Sequence, residues 1–486
     1  MIDRRAPVER LPAEIFDQIM PHLAITAPTN GCTTRNKDLA SCLLVSRTFH
    51  CHTLATLYSH VTFPHSTIFS KFLSHIQKYP ELGELLRRAD FSGFTSVGLG
   101  RTNRMNIEIQ KLTATTLRSC LNLTPKLREF LVSESMGMDM DASVLRKLFC
   151  DLQYLQALDF CGMTHSEFVD GMTKVLVPTN TALPEKLPIK RLGLHGCTTV
   201  NPLSISTLIP RLPFLTHLDL THTLVTDAML QTIPHTARLS HLSLSRCNRL
   251  KGSAVVDFLI KHPATQNLVF LNLLYDTSRY RLLNFDDVDI LLPKLPSSLK
   301  SLNLSGAKII SEHVPELRRL AKHLEELSVG HADLSVSDIC TILEPGFGDE
   351  EGNKNPQKHS LHYLDLTGIS SVNPAALLYT QTCNLLLPSS YPLQVIELSE
   401  KVVSGLKDRS VPGKKVGWKV KDQGRRGWYV RAEAGIHPGG EEAARKSSAD
   451  DGGRPWKMGG KWWGNRKIGC AFGEISGIYG CYGFGR

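Results

Sequence analysis

The histidines and cysteines near the start of the chain come nearest to a chemical site. His50, Cys51 and His52 are consecutive, and His60 and His65 follow. Two histidines bind one metal ion only if their rings converge, yet residues two apart point to opposite sides of a strand, or roughly 200° apart on a helix. A nucleophilic thiol needs a positioned base and a pocket, and nothing in the sequence predicts either. We therefore expect no catalytic residue, no metal ligand and no cofactor.

Other signatures of catalysis are also missing from the sequence. It contains no Gly-x-Ser-x-Gly turn, no His-Glu-x-x-His pair and no phosphate-binding loop. The 12 cysteines include no Cys-x-x-Cys pair, and the first residues lack the apolar stretch of a signal peptide. This pattern favours a reducing compartment, the cytoplasm or the nucleus. No apolar run reaches the ~18 residues of a membrane span, so we expect a binding protein that is not embedded in a membrane.

A Leu-x-x-Leu-x-Leu pattern recurs along most of the chain. Its clearest copies start at Leu215, Leu239, Leu268, Leu299, Leu361 and Leu393, and looser ones at Leu86, Leu127, Leu155, Ile189 and Leu324. The alternation predicts short strands whose leucines point inward, joined by short helices or turns. One such unit cannot bury its own leucines, whereas stacked units share a continuous core.

The repeats resemble the leucine-rich repeats over about residues 86–400. Cys197 and Cys247 each fall eight residues after a repeat start, as in the cysteine-containing subclass, and we interpret both thiols as buried packing groups. The resemblance implies an α/β solenoid, or horseshoe, whose concave face is lined by the strand residues between the leucines. On that face we expect the substrate-binding residues Phe270, Leu274, Tyr275, His217, Asp219, His241 and Asn303.

Phe270, Leu274 and Tyr275 are the apolar exceptions on a mostly polar face, which makes them candidates for a protein contact. The alternative, which the sequence leaves open, is that a return loop covers them. His217 and His241 occupy equivalent positions in neighbouring strands, so we expect their side chains to lie side by side.

The N-terminal region carries a second motif. Leu11-Pro-Ala-Glu-Ile predicts the start of a helix with Ile15, Ile19 and Leu23 on one face, and a second helix is expected from Asp38 through Phe49. With Val45-Ser46-Arg47, these elements resemble an F-box. An alternative interpretation is a capping unit for the first repeat.

An F-box followed by leucine-rich repeats resembles the substrate receptor of an SCF-type ubiquitin ligase. The resemblance implies that the helices bind a Skp-type adaptor linked to a cullin scaffold, that the repeats hold an unidentified protein substrate, and that other subunits perform catalysis. The implied adaptor-binding residues are Leu11, Pro12, Ile15, Ile19, Leu23, Leu39, Val45 and Ser46. We therefore predict a small helical F-box over 8–63 and the solenoid over 64–400.

The last segment, 401–486, has a different composition. It holds 18 Lys and Arg against 8 Asp and Glu, whereas residues 1–400 hold 38 of each, and it carries all five Trp. Gly-Trp-x-Val occurs twice, ten residues apart, which predicts a β-hairpin at about 414–432, followed by a flexible basic tail. Rings interleaved with cations suit RNA, so the alternative function is a repeat scaffold without a cullin that contacts RNA through this tail.

Overall fold

Short parallel strands alternate with short helices along the chain. The computed structural model describes residues 6–23, 39–63, 65–91, 94, 111–177, 183–275, 281–344, 358–407, 417–423 and 426–431. The predicted tail beyond residue 431 lies outside the described residues. The described chain divides into two compact units, the first ending at Leu215 and the second beginning at Thr216.

The first unit contains five strands that pair in chain order, all parallel. They are β1 (His60–Thr62), β2 (Arg88–Asp90), β3 (Glu129–Val132), β4 (Ala157–Phe160) and β5 (Arg191–Gly193). The α-helices of this unit are α1 (Ala13–Leu23), α2 (Arg47–Ser59), α3 (Ser66–Lys78), α4 (Pro80–Gly83), α5 (Ala114–Leu123), α6 (Ala142–Arg146), α7 (Ser166–Leu176) and α8 (Pro202–Leu208).

The second unit continues the alternation with seven strands that also pair in parallel and in chain order. They are β6 (His217–Asp219), β7 (His241–Ser243), β8 (Phe270–Asn272), β9 (Ser301–Asn303), β10 (Glu326–Ser328), β11 (Tyr363–Asp365) and β12 (Val395–Ser399). The helices between and after them are α9 (Asp227–Leu230), α10 (Gly252–Lys261), α11 (Phe285–Leu291), α12 (Val314–Ala321), α13 (Val336–Leu343), α14 (Pro374–Tyr379) and α15 (Glu400–Lys407).

The predicted inward direction of the strand leucines is confirmed. The central residue of each strand from β6 to β11 is a leucine with at most 1% of its surface exposed: Leu218, Leu242, Leu271, Leu302, Leu327 and Leu364. Registers place each of them opposite the next along the sheet. Burying one such side chain stabilises the fold by about 1.5–3 kcal/mol before conformational entropy is subtracted. The mixed α/β class with a parallel sheet is therefore confirmed.

A hairpin closes the strand series of the second unit. Its strands are β13 (Trp418–Gln423) and β14 (Arg426–Arg431), which pair antiparallel within the range predicted for a hairpin. β14 also pairs antiparallel with β12 over five residue pairs, so the hairpin covers the edge that β12 would otherwise expose. Trp428 and Tyr429 are both buried in this arrangement.

The second N-terminal helix differs from its prediction. The described residues 39–42 are helical, residues 43–45 form a turn, and α2 begins at Arg47. The Ser46 hydroxyl accepts a hydrogen bond from the Phe49 amide at 3.4 Å and so caps a new helix. The predicted helix from Asp38 through Phe49 is therefore wrong in its bounds. Nowhere in the described ranges is a helix both long enough and apolar enough to cross a membrane.

Candidate functional site

The two N-terminal helices pack through one aromatic cluster. The buried Phe16 ring of α1 meets Phe49 of α2 edge-on, with centroids 5.3 Å apart, and lies parallel to His52 at 4.8 Å. One turn later, the hydroxyl of the buried Thr53 lies 3.7 Å from the sulfur of Met20. Phe16 and Met20 therefore form the inner face of α1.

The face of α1 that carries Ile15 and Ile19 points to solvent. Each isoleucine precedes an inward residue by one position, which on a helix is a rotation of about 100°. Ile15 is 37% exposed and Ile19 is 41% exposed, and Leu11 at the preceding turn is 37% exposed. Large apolar side chains exposed in this way lose free energy in water unless another molecule covers them.

Further exposed apolar residues flank this face in sequence. Val8 precedes α1 and is 42% exposed, and Leu44 and Val45 in the turn before α2 are 88% and 63% exposed. The F-box motif alone did not indicate Val8 or Leu44, because neither position belongs to its pattern. Together these residues form what we call the exposed apolar set: Val8, Leu11, Ile15, Ile19, Leu44 and Val45.

The other residues predicted to bind an adaptor lie in different environments. Pro12 is exposed at the start of α1, and Ser46 caps α2. Leu39 is buried, so it does not offer the surface contact that was predicted there. The side chain of Leu23 lies outside the described residues.

On the strand face of the second unit, by which we mean the side chains flanking each central leucine, polar residues close turns. In four strands the side chain of the third residue accepts a hydrogen bond from the backbone amide two positions later, at 2.8–3.1 Å. These residues are Asp219, Asn272, Asn303 and Asp365. Asp159 does the same in the first unit, at 3.2 Å. In each turn the side-chain oxygen thus takes the place of a backbone carbonyl as the hydrogen-bond acceptor. The predicted binding residues Asp219 and Asn303 are therefore turn-forming, and Asp219 is fully buried.

The predicted pairing of His217 and His241 is confirmed. The two residues are in register on β6 and β7, and their rings stack with centroids 4.1 Å apart and planes 8° apart. Each Nδ1 atom lies 2.9 Å from the hydroxyl of the preceding residue, Thr216 or Ser240. The imidazoles are thus held in fixed orientations.

The three apolar candidates on this face are buried, which agrees with the alternative that another part of the chain covers them and not with an exposed protein contact. Phe270, Leu274 and Tyr275 are 4%, 6% and 4% exposed. Phe270 stacks on His241, with centroids 5.9 Å apart. Neighbouring repeats hold the turn after β8 from both sides: the Leu274 carbonyl accepts from the Ser245 hydroxyl at 2.8 Å, and the Tyr275 amide donates to Ser305 at 2.9 Å.

Buried carboxylates, which the sequence reasoning missed, pair with hydroxyls across neighbouring strands. Ser301 donates to Glu326, Ser328 donates to Asp365 at 2.7 Å, and Tyr363 donates to Glu397. Strands β6 to β12 contain four carboxylates and no lysine or arginine, a composition from which the acidic character of this face could have been inferred.

In the first unit the corresponding face carries ion pairs. Arg88 contacts Asp90 at 3.1 Å and Glu129 at 3.4 Å, and Arg191 contacts the other oxygen of Glu129. Ala157 lies between Glu129 and Arg191 in the sheet, and its small side chain leaves room for that contact. These charges are largely satisfied within the unit.

The two repeat cysteines are buried packing groups, as predicted. Cys197 and Cys247 are fully buried, and their thiols donate to the carbonyls of Phe160 and Leu220 in the preceding repeats, at 3.0 and 2.9 Å. Burial raises the pKa of Cys247 to about 12, so this thiol does not ionise at neutral pH. Among the residues that the structure describes, no three His, Cys, Asp or Glu side chains come together as a metal site.

The amino-acid sequence is similar to that of a named yeast protein. No family model matches the chain. It is 29% identical over 415 residues to the F-box protein YLR352W of Saccharomyces cerevisiae, covering 76% of this chain and 50% of that protein. The chain thus spans about half the length of that curated relative. The crystal structure of the leucine-rich repeat-containing protein LegL7 from Legionella pneumophila matches with a TM-score of 0.34 and 15% identity, covering 64% of this chain and 88% of that one.

Proposed function

We propose that the chain is the substrate-recognition subunit of an SCF-type ubiquitin ligase, and that a Skp-type adaptor binds the exposed apolar set. The observation that carries the proposal is that Ile15 and Ile19 face solvent on α1, a helix whose other face is already packed, with the exposed Leu11 just before the helix. Similarity to a yeast F-box protein over 76% of the chain supports the same role.

The proposed mechanism is proximity rather than catalysis. The adaptor links the helical region to a cullin scaffold, and the repeats hold a protein substrate on the strand face, which includes the half-buried side chains of His217 and Asn303. Tethering raises the effective concentration of substrate lysines near a charged ubiquitin-conjugating enzyme. The chemistry then takes place on other subunits.

Co-purification tests the adaptor contact. The full chain is expected to capture the Skp-type adaptor and the cullin, and the double variant Ile15→Ser/Ile19→Ser is expected to lose about 100-fold in adaptor affinity, since both side chains are central to the proposed contact. Leu203→Ser is the matched control, because Leu203 is a 58% exposed leucine on α8. A chain that captures neither protein would instead be the cullin-free scaffold.

The substrate requires a separate experiment. We expect crosslinking mass spectrometry with the adaptor-deficient double variant to enrich bound substrates, because a receptor that cannot join the ligase does not deliver them for degradation. Crosslinks should fall on the strand face of the repeats. Crosslinks confined to the N-terminal helices would contradict this assignment.

A further inference from the structure

The orientation of α1 about its own axis depends on contacts with α2. Ile15 and Ile19 face solvent only because Phe16 and Met20 face inward. A rotation of α1 by one residue position would turn the isoleucines toward α2, and apolar groups occur on both faces, so hydrophobicity alone does not fix the rotation. A more specific contact must select one orientation.

His52 provides that contact through two parts of one imidazole. The ring face lies against Phe16, with planes 6° apart, while Nδ1 lies 3.1 Å from the Asp17 carboxylate. A carboxylate only accepts hydrogen bonds, so Nδ1 carries the proton of this bond. Phe16 and Asp17 are consecutive on α1, and holding both fixes the rotation of the helix.

We infer that His52 is a positioning residue for adaptor binding, one that acts through Phe16 and Asp17 to keep Ile15 and Ile19 presented to the partner. This inference rests on the proposed function. The ring contact carries most of the effect, because the side chain of Asp17 is 68% exposed and surface ion pairs contribute little.

Isothermal titration of the full chain with purified Skp-type adaptor tests the inference. His52→Ala is expected to weaken binding about tenfold, and His52→Phe, which keeps a flat ring against Phe16, is expected to restore affinity to within about threefold of the parent. Asp17→Asn should change affinity less than threefold. The matched control is Cys51→Ala, an exposed neighbour on the same helix, which should leave binding unchanged.

The outcomes separate this inference from the proposed function. If His52→Ala binds within twofold of the parent while Ile15→Ser/Ile19→Ser loses binding, His52 has no positioning role and the adaptor site stands. If the parent chain itself does not bind the adaptor, the proposed function fails first. If His52→Phe keeps the parent's melting temperature yet binds as weakly as His52→Ala, the ring contact is not the cause and the inference is overturned.

Discussion

His359 is a buried imidazole in the second unit. Burial, and to a smaller extent the charges of His362 and Lys358, lowers the pKa of His359 to about 4. A lowered pKa in the folded chain means that the unfolded chain binds the proton more readily below pH 6.5. The stability that the neutral ring contributes is therefore present above pH 6.5 and is lost as the pH falls toward 4.

We predict that His359→Gln reduces the acid sensitivity of the second unit. Between pH 7 and pH 4.5 the parent should lose about 1–3 kcal/mol more unfolding free energy than the variant, because only the parent has this imidazole to protonate. Urea unfolding at the two pH values measures the difference. Equal losses in both proteins would show that His359 does not titrate in this way.

Asp139 gives the opposite pH dependence in the first unit. Burial, with a contribution from Asp141, raises the pKa of Asp139 to about 7. The folded chain therefore favours the protonated acid, and ionisation destabilises it as the pH rises from about 4 through 7.

We predict that Asp139→Asn raises the melting temperature at pH 8 by about 2–4 °C and leaves it unchanged at pH 4. Asp141 supplies the contrast, because its carboxylate caps α6 by accepting hydrogen bonds from the Ser143 and Val144 amides at 2.9 and 3.0 Å. Asp141→Ala should be destabilising at pH 8, by about 1 kcal/mol. Calorimetry at both pH values checks each variant, and a stabilising effect of Asp139→Asn at pH 4 would contradict the assignment.

At the scale of single elements, the strands of the repeats could be predicted from the sequence and their surroundings could not. The alternation around Leu242 or Leu302 determines which side chains point to the core. It says nothing about what packs above the opposite face, and for that reason the sequence leaves open whether Phe270 and Tyr275 are exposed or covered, whereas the structure buries both. Spacing identifies a face, whereas burial depends on contacts that are distant in sequence.

The N-terminal helix α1 also shows that spacing identifies a face without deciding whether that face is buried. The i, i+4 spacing of Ile15 and Ile19 correctly groups them on one face, but Phe16 and Met20 have the same spacing one position later. Which pair packs inward depends on Phe49, His52 and Thr53 of α2, so the sequence of α1 alone cannot decide it.

The turn that follows several of the repeat strands supports a prediction about Asn303. Its side chain accepts the Ser305 amide at 3.0 Å, and aspartates stand at the equivalent positions 219 and 365. Asn303→Asp should therefore be near the parent in stability, whereas Asn303→Ala should cost about 1 kcal/mol by removing the acceptor. Chemical denaturation measures both. An alanine variant as stable as the parent, but defective in substrate capture, would instead assign Asn303 to binding.

The C-terminal hairpin depends on Trp418. Its ring contacts the Tyr429 ring, with centroids 5.6 Å apart, and the Arg431 guanidinium, 4.8 Å from the centroid. Its Nε1 donates to the Leu386 carbonyl at 3.0 Å. Trp418→Phe should cost about 1 kcal/mol for the lost hydrogen bond, and Trp418→Ala about 3–5 kcal/mol for the lost packing. Urea titrations measure both losses. If the two variants lose the same unfolding free energy, the ring contacts contribute nothing to stability.

Over the whole molecule, the proposed function separates two kinds of contact. Adaptor contact and substrate contact are assigned to different elements, α1 with the turn before α2 and the strand face of the repeats. The excess charge lies in 401–486, whereas the 400 preceding residues are neutral overall. Composition therefore separates residues 1–400 from residues 401–486. The tail lies outside the described residues, so its predicted contact with RNA stays a prediction.

The repeat architecture also predicts that a destabilising core substitution affects mainly the neighbouring repeats. Leu364 is the buried central residue of β11 and is in register with Leu327 of β10 and Ile396 of β12. Leu364→Ala should cost about 2–5 kcal/mol, and because each repeat contacts only its neighbours, the loss should open β10 to β12 first. Hydrogen exchange with mass spectrometry should show faster exchange there and unchanged protection in β6 and β7 of the same unit. Leu203→Ala, at an exposed site, is the control, and a uniform loss of protection across the second unit would show that it unfolds as one cooperative body instead.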